Sequence, residues 1–388
     1  MKFQLTEDQQ RLRDEVRQYA QDEIRPQATE LDQAEEHPTE ILNELGERGY
    51  TGITIPETYG GMGEGMVELA LMTEELAAAL MPVAGAVALH LGVAEVIQRF
   101  GTDEQRDTYL PSMASYDTVG VLGMSEQNAG SNKLEMETTA KRKGDEWVLN
   151  GHKQWLTNFQ DGDYVLTYAK TGPEGERPHN ISAFLVSTDR FDVEKVWDTL
   201  GSQTVKSPRG ALKDVHVPDR QRIGEVGEAY VQRGQLQTGV NVPARGVGIA
   251  RAALDDTVAY TSQRKQFDHS IGDFQGVKWK VGEMAQRVDT ARLLTLRAAD
   301  CADRGHDTTR EFSMAKVFAT QAAVDNANEA MQLHGGIGYT TETHVERYLR
   351  DARLLTIAGG PNEGHKDTVA AAVYDDHPTW DSNHDRDI

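Results

Sequence analysis

The chain of 388 residues contains one cysteine, Cys301. That excludes an intramolecular disulfide framework and any cysteine-rich zinc or iron–sulfur site. Cys301 lies in an Ala-rich helical pattern and reads as a packed thiol. Lysine is scarce, 14 against 26 arginines, and cations fall well short of anions: 40 Lys+Arg against 62 Asp+Glu, a formal net charge of −22. Such a surface repels phosphate backbones and anionic lipid, which argues against nucleic-acid and membrane-surface binding. The acid is dispersed, with no long block of one sign, so it is a property of the surface. Few lysines among many carboxylates suggest adaptation to high salt, where screening removes the self-repulsion. No stretch reads as about 18 unbroken apolar residues; the longest candidate, Leu76 to Leu91, is interrupted by Pro82 and His90. Met1 to Gln10 has neither the basic nor the apolar region of a signal peptide. A soluble, cytoplasmic protein is expected.

What is present is ample apolar material, 38% of residues, arranged in changing periods. At roughly 150 residues per domain the length suggests two or three domains, or one large one. Residues 1–118 read as helical. Thr6 and Gln9 form a capping-box pattern before Leu12, Val16, Tyr19 and Ile24; Ile41, Leu42 and Leu45 mark a second helix, and Glu68 to Ala79 another. The Gly-rich run Pro56 to Gly65 is a loop. Residues 119–222 carry short β-rich runs around Trp147, Tyr164, Ile181 and Val215, separated by Gly, Pro, Asn and Asp, which predict an antiparallel β domain. Helical spacing returns over 223–374, with an apolar stripe from Val277 through Met284 and Val288 to Ala298. The remaining 375–388 is a polar, acidic tail that reads as loosely ordered. The alternation of strands and helices that a Rossmann sheet needs is absent. The fold class is therefore α+β and multidomain: helical, then β, then helical.

Individual motifs are weak. Gly335-Gly336-Ile337-Gly338-Tyr339 follows a helix and not a strand, so it reads as a helix end and turn before it reads as a dinucleotide loop. Gly246 and Gly248, within a helix, read as sites of tight helix packing. Ser125 to Ser131 lies where the helical region gives way to β structure, and its hydroxyls and amides suit a heterocycle or phosphate. Trp155 and Thr157 read as sharing one strand face, where an aromatic beside a hydroxyl suits a planar ring. No His, Cys, Asp or Glu set has convincing metal-ligand spacing, and no nucleophile motif is present.

Taken together these segments resemble the acyl-CoA dehydrogenase family over nearly the whole chain. Ile55-Pro-Glu-Thr-Tyr59-Gly60-Gly61 is similar to the family's "PExYGG" loop, Met124-Ser-Glu126 through Ser131 to its first signature, and Trp155-Leu-Thr-Asn158 to "WITN". Asp214-Val-His-Val-Pro218 resembles "DVxVP". Arg264-Lys-Gln-Phe267 with Ile271 to Gln275 resembles "RxxFGxxIxxFQ", and Gln332 to Tyr339 followed by Arg350-Asp-Ala-Arg353 completes the pattern.

The resemblance implies an N-terminal helical domain, a central antiparallel β domain and a C-terminal four-helix bundle. It further implies bound FAD, an acyl-CoA substrate, an electron-transfer flavoprotein as electron acceptor, and assembly as a homodimer or homotetramer. A hetero-oligomer is the variant of that assembly. Carried over by position, Ser125, Gly130, Ser131, Trp155 and Thr157 face the flavin. Arg264, Phe267, Gln275, Gln332, Gly335 and Gly336 hold the diphosphate and adenosine across a subunit boundary.

The catalytic base is where the chain departs from the pattern. Most members place a glutamate just after "RDAR"; here that place is Gly359. Others supply the base from a preceding bundle helix; here that position is Thr238, followed by Gly239 where an arginine is common. Glu363, four residues on, is the nearest carboxylate in sequence and the candidate base. Two alternatives follow from Gly359: a flavin-dependent monooxygenase on the same fold, which needs no α-proton base, or an inactive subunit that only binds FAD or acyl-CoA.

Overall fold

The computed structural model describes residues 4–376. The polar tail read at 375–388 lies outside them from residue 377 onward. Five helices build the first part: α1 (Glu7–Tyr19), α2 (Ala28–Ala34), α3 (Thr39–Glu47), α4 (Met66–Phe100) and α5 (Asp103–Ala114). Thr6 and Gln9 form the expected reciprocal cap: Thr6 Oγ1 accepts from the Gln9 N–H at 3.2 Å, and Gln9 Oε1 accepts from the Thr6 N–H at 3.0 Å. Thr102 and Gln105 repeat the device at α5.

The sequence reading ends a helix at Ala79 and finds no long apolar span. Instead α4 runs on to Phe100, with a single non-helical residue, Leu80 (φ −152°, ψ 101°). Pro82 lacks an N–H and its ring crowds the preceding turn, so the chain kinks there. Helix resumes because both halves are apolar and enclosed. By length and composition α4 could cross a membrane, yet 89% of its most apolar window is buried inside the protein. It is the central core helix.

Eight strands follow: β1 (Gly120–Gly123), β2 (Thr139–Lys143), β3 (Glu146–Lys153), β4 (Tyr164–Lys170), β5 (Ile181–Ser187), β6 (Asp192–Val196), β7 (Pro208–Pro218) and β8 (Arg222–Ile223). The sheet order is β6-β7-β3-β2-β4-β5-β8, with β1 also on β4. Most pairs are antiparallel, as expected; β1 and the end of β2 pair with β4 in parallel. A parallel pair needs a long connection, and the β2–β3 hairpin supplies one between β1 and β4. The sheet's inner face buries Trp147, Leu149, Val165, Phe184 and Val217.

The last part holds α6 (Ala229–Arg233), α7 (Asn241–Gln263), the β9–β10 hairpin (Lys265–Gln266, His269–Ser270), α8 (Gln275–Asp303), α9 (Thr309–His334), α10 (Val345–Leu355) and α11 (Asn362–Asp376). α7, α8, α9 and α10 pack as a bundle, and α7 also lies along α4. Two glycines allow the close approach. A Cβ on Gly246 would stand 2.8 Å from the Ala319 carbonyl oxygen of α9, and one on Gly248 would stand 2.4 Å from the Glu74 carbonyl oxygen of α4. Asn326 ties the bundle by donating to the Ala250 and Met284 carbonyls, both at 3.1 Å. Glu74 and Glu75 of α4 pair with Arg17, Arg251 and Arg292, joining α1, α4, α7 and α8. Burial drives the Glu74 carboxyl upward, but its hydrogen bond to Arg292 and the charges of Arg292, Arg251 and Arg17 outweigh it, leaving a net downward shift. Within α8 the expected stripe is buried at Met284, Val288, Ala291 and Ala298.

Candidate functional site

Three segments meet where the sheet abuts α4: the loop after β1 (124–131), the turn after β3 (154–158), and the entry to β7. The Gln154 N–H donates to the Ser125 carbonyl at 2.9 Å and the Gln154 amide to the Glu126 carbonyl at 3.1 Å. The Leu156 N–H donates to the Pro208 carbonyl at 3.2 Å, and the Thr157 and Ser207 hydroxyls lie 3.0 Å apart. A buried ion pair underlies the cluster: Lys153 Nζ is 2.6 Å from Glu126 Oε1, with Lys153 fully enclosed and the Glu126 side chain 5% exposed. Glu126 also accepts the Glu137 and Thr138 N–H groups at 2.5 and 3.2 Å. Burial alone would raise the Glu126 carboxyl; Lys153 and these donors reverse the sign and hold it below the usual range.

Trp155 and Thr157 are not on a strand. β3 ends at Lys153, and Trp155 (φ 60°) and Asn158 (φ 69°) both adopt left-handed backbone. Two such residues so close together break the pleat, so the segment is a turn. The turn is fastened to the core helix: Asn158 Nδ2 donates to the Ala86 carbonyl at 2.8 Å, while the buried Asn158 Oδ1 has no partner among the described residues. The Trp155 indole stays 47% exposed and stacks on Trp197, ring centres 5.2 Å apart. Gly130 and Ser131 are exposed on the first loop, and a side chain added at Gly130 would meet nothing. Lys133 was missed in the sequence. Its ammonium donates to Ser125 Oγ at 2.7 Å, and burial, with the Arg233 and Lys153 charges, pushes it down to about 8. Its only signal was proximity to the Ser125 loop.

The other predicted binding residues gather elsewhere. The Tyr260 and His334 rings stack at 4.4 Å, which brings the end of α7 beside the end of α9. Around that contact lie Arg264, Phe267 (84% exposed), Gln275, Gln332, Gly335 (φ 65°) and Gly336, all exposed. Side chains added at Gly335 or Gly336 would meet nothing. Among the described residues no hydrogen bond links this group to the Ser125–Thr157 group.

At the expected base position, Gly359 turns left-handed (φ 70°), as does Gly360 (φ 99°). A Cβ on Gly359 would point at Val242 of α7, 3.1 Å from its Cγ2. Glu363 is in the first turn of α11 and exposed. The loop between is anchored by Lys316, which donates to the Gly360 carbonyl at 2.5 Å and to Asn362 Oδ1 at 2.8 Å. Burial pushes Lys316 down to about 8 against the opposing charge of Glu363. At Thr238, the second base position, the structure supplies a carboxylate from another helix. Glu95 of α4 accepts the Thr238 hydroxyl at 2.8 Å and the Thr238 and Gln237 N–H groups at 3.0 and 2.8 Å, and pairs with Arg99. Those four partners occupy it as a helix-entry cap. Its 143-residue separation from Thr238 hid it from sequence reading. Among the described residues no group of three or more His, Cys, Asp or Glu could hold a metal ion.

An exposed indole, hydroxyls at Ser125, Thr157 and Ser207, and an unpartnered buried amide oxygen suit a planar heterocycle with a polar edge. Comparisons agree. Models of the acyl-CoA dehydrogenase N-terminal, middle and C-terminal domains match residues 6–117, 121–215 and 228–374. YngJ of Bacillus subtilis, named a probable acyl-CoA dehydrogenase, is 38% identical, covering 95% of this chain and 99% of that protein. The short-chain-specific acyl-CoA dehydrogenase of Clostridium acetobutylicum is 32% identical over 96% of this chain and 100% of its own length. Among solved structures, butyryl-CoA dehydrogenase of Megasphaera elsdenii superposes with TM-score 0.93 at 31% identity, covering 96% of this chain and all of that one. A chain from work on the electron transferring flavoprotein of Acidaminococcus fermentans matches with TM-score 0.93 at 32% identity, covering 96% and 99%. The FAD complex of PigA matches with TM-score 0.90 at 27% identity, covering 96% and 99%.

Proposed function

From the premise that this chain belongs to the acyl-CoA dehydrogenase family, we propose that it catalyses FAD-dependent α,β-dehydrogenation of an acyl-CoA thioester. Electrons then pass to an electron-transfer flavoprotein. The observation that carries this reading is the convergence of Ser125, Trp155, Thr157 and Ser207 on one cradle fastened to α4. The donor set fits a flavin: hydroxyls for the polar edge of the ring, and an indole beside it.

When bound, FAD supplies a two-electron acceptor at the ring. Ser125 and Thr157 orient its polar edge, with Gly130 and Ser131 leaving room for backbone approach. The Trp155–Trp197 stack shields one side from water. Arg264, Phe267, Gln275, Gln332, Gly335 and Gly336 hold the diphosphate and adenosine of a neighbouring subunit's cofactor, in a homodimer or homotetramer. Arginine suits a diphosphate, and side-chain-free glycines admit it closely. Glu363 takes the α-proton. It sits in the first turn of α11, just after the loop that Lys316 anchors through Gly360 and Asn362. The enzyme is taken to be cytoplasmic and salt-adapted.

Gly359 favours one second reading, a chain that binds FAD and thioester without removing an α-proton. The experiment that separates them is anaerobic addition of an acyl-CoA panel to the FAD-loaded protein in high salt, followed near 450 nm. Bleaching that Glu363→Gln abolishes supports the proposal. A flavin left oxidised by every thioester in the wild type, but bleached after Gly359→Glu, supports the second reading.

A further inference from the structure

Among the described residues, Arg245 of α7 is a cation without a counter-ion. It is 6% exposed, and burial is the one influence on its guanidinium, which nevertheless stays protonated at neutral pH. A guanidinium carries five N–H donors. Here one nitrogen, Nη2, donates to Asn241 Oδ1 at 2.9 Å, and Nε is buried with no acceptor among the described residues. The partly buried Arg251 of α7 and Arg292 of α8, by contrast, meet Glu74 and Glu75. Leaving one buried cation unpaired is costly unless something else pairs with it.

Its position says what that partner is. Nη1 lies against Gly85 of α4, 2.9 Å from where a Cβ would stand, so the glycine makes the room. The next residue of α4, Ala86, receives the Asn158 amide from the Thr157 turn. On the other side, Val242, adjacent to the Asn241 that holds Arg245, faces Gly359. The guanidinium thus stands between the Thr157–Asn158 turn and the Gly359 loop. Arg245, beside Gly85, and Asn158, bonded to Ala86, each keep one buried polar atom, Nε and Oδ1, without a partner among the described residues. A wholly aliphatic acyl group would leave the guanidinium donor unanswered.

We propose that Arg245 receives a carboxylate carried at the far end of the acyl group, so that the preferred thioester is that of a short dicarboxylic acid. This rests on the thioester reading above. A carboxylate accepts charge-assisted bonds from the guanidinium fork, and the same fork penalises a neutral chain that leaves its donors unpaired. The expected discrimination is about tenfold to a hundredfold, the range of one such charge-assisted interaction.

The test measures binding and turnover side by side on the FAD-loaded protein. The probes are CoA thioesters of four- to six-carbon α,ω-dicarboxylic acids and of the unsubstituted acids of equal length. Dissociation constants come from calorimetry, turnover from flavin bleaching. At least one dicarboxylic thioester should bind about tenfold tighter than its neutral counterpart. Arg245→Gln should erase that preference mainly by weakening the dicarboxylic member, and Arg245→Lys should keep part of it. Equal affinities in the wild type, or a preference intact in Arg245→Gln, would overturn the proposal. If Arg245→Gln does not fold, the wild-type pair and Arg245→Lys decide it. A binding preference without bleaching by any thioester would uphold the role of Arg245 and bring down the dehydrogenation reading instead.

Discussion

Lys153→Met is the substitution that most directly separates the cradle's support from its contents. Lys153 is fully enclosed and its ammonium lies 2.6 Å from Glu126, whose carboxylate is also enclosed and hydrogen-bonded to the Glu137 and Thr138 N–H groups. Methionine matches the lysine stem in volume, so the loss is electrostatic. The variant leaves Glu126 as a buried anion with amide donors but no counter-ion, which typically costs about 3–5 kcal/mol. Part of that loss is expected at the proposed cofactor cradle, because Ser125 precedes Glu126 and Gln154 is bonded to both residues' carbonyls. The assay is denaturant unfolding of the holoprotein together with FAD affinity by fluorescence. Lys153→Met should lower stability by about 3–5 kcal/mol and release FAD more readily. Adding Glu126→Gln should recover most of the stability, since a neutral pair no longer carries an unmatched charge. A single variant within about 1 kcal/mol of wild type, or a double variant as unstable as the single, would refute the reasoning.

Three further outcomes follow. His90 accepts the Gly120 N–H on Nδ1 at 3.1 Å and donates from Nε2 to the Met113 carbonyl at 2.9 Å, and burial pushes it down to about 4 from 6.5. A folded-state value below the unfolded one means stability is present above pH 6.5 and is lost as pH falls toward 4, by up to about 3 kcal/mol; unfolding free energies at pH 7.5 and 4.5 should show this in the wild type, and a pH slope unchanged in His90→Gln would contradict it. Gly248→Ala places a methyl 2.4 Å from the Glu74 carbonyl oxygen, so α7 must move off α4 at a cost of about 1–3 kcal/mol; an unchanged melting temperature would show that the helices are not so close. With a net charge of −22, lowering salt should dissociate the proposed oligomer and release FAD; retention of both in dilute buffer would refute the proposed salt adaptation and leave the family assignment intact.

Much of the architecture was legible because it is written in period. The capping box at Thr6, the stripe along α8, the β-rich runs and the small residues at Gly246 and Gly248 are local signals, and each appears where local physics puts it. What was not legible is what depends on tertiary context. Pro82 reads as a stop, yet the burial of both halves of α4 overrides it. Trp155 to Asn158 reads as a strand by residue type, yet two left-handed residues make it a turn. The question of the base rests on single residues of the sequence, Gly359 and Thr238. Glu95 beside Thr238, Lys133 beside Ser125 and Arg245 beside Gly85 were hidden, because each pairing depends on the three-dimensional fold rather than on a motif.

The most direct test of the central claim is a single-turnover product analysis. The FAD-loaded protein is mixed anaerobically with one equivalent of an acyl-CoA, and the thioester is then examined by mass spectrometry alongside the flavin spectrum. Dehydrogenation predicts a thioester lighter by two hydrogens, in amounts equal to the flavin reduced. A flavin that is reduced while the thioester mass stays unchanged, or that stays oxidised with every thioester offered, would contradict it.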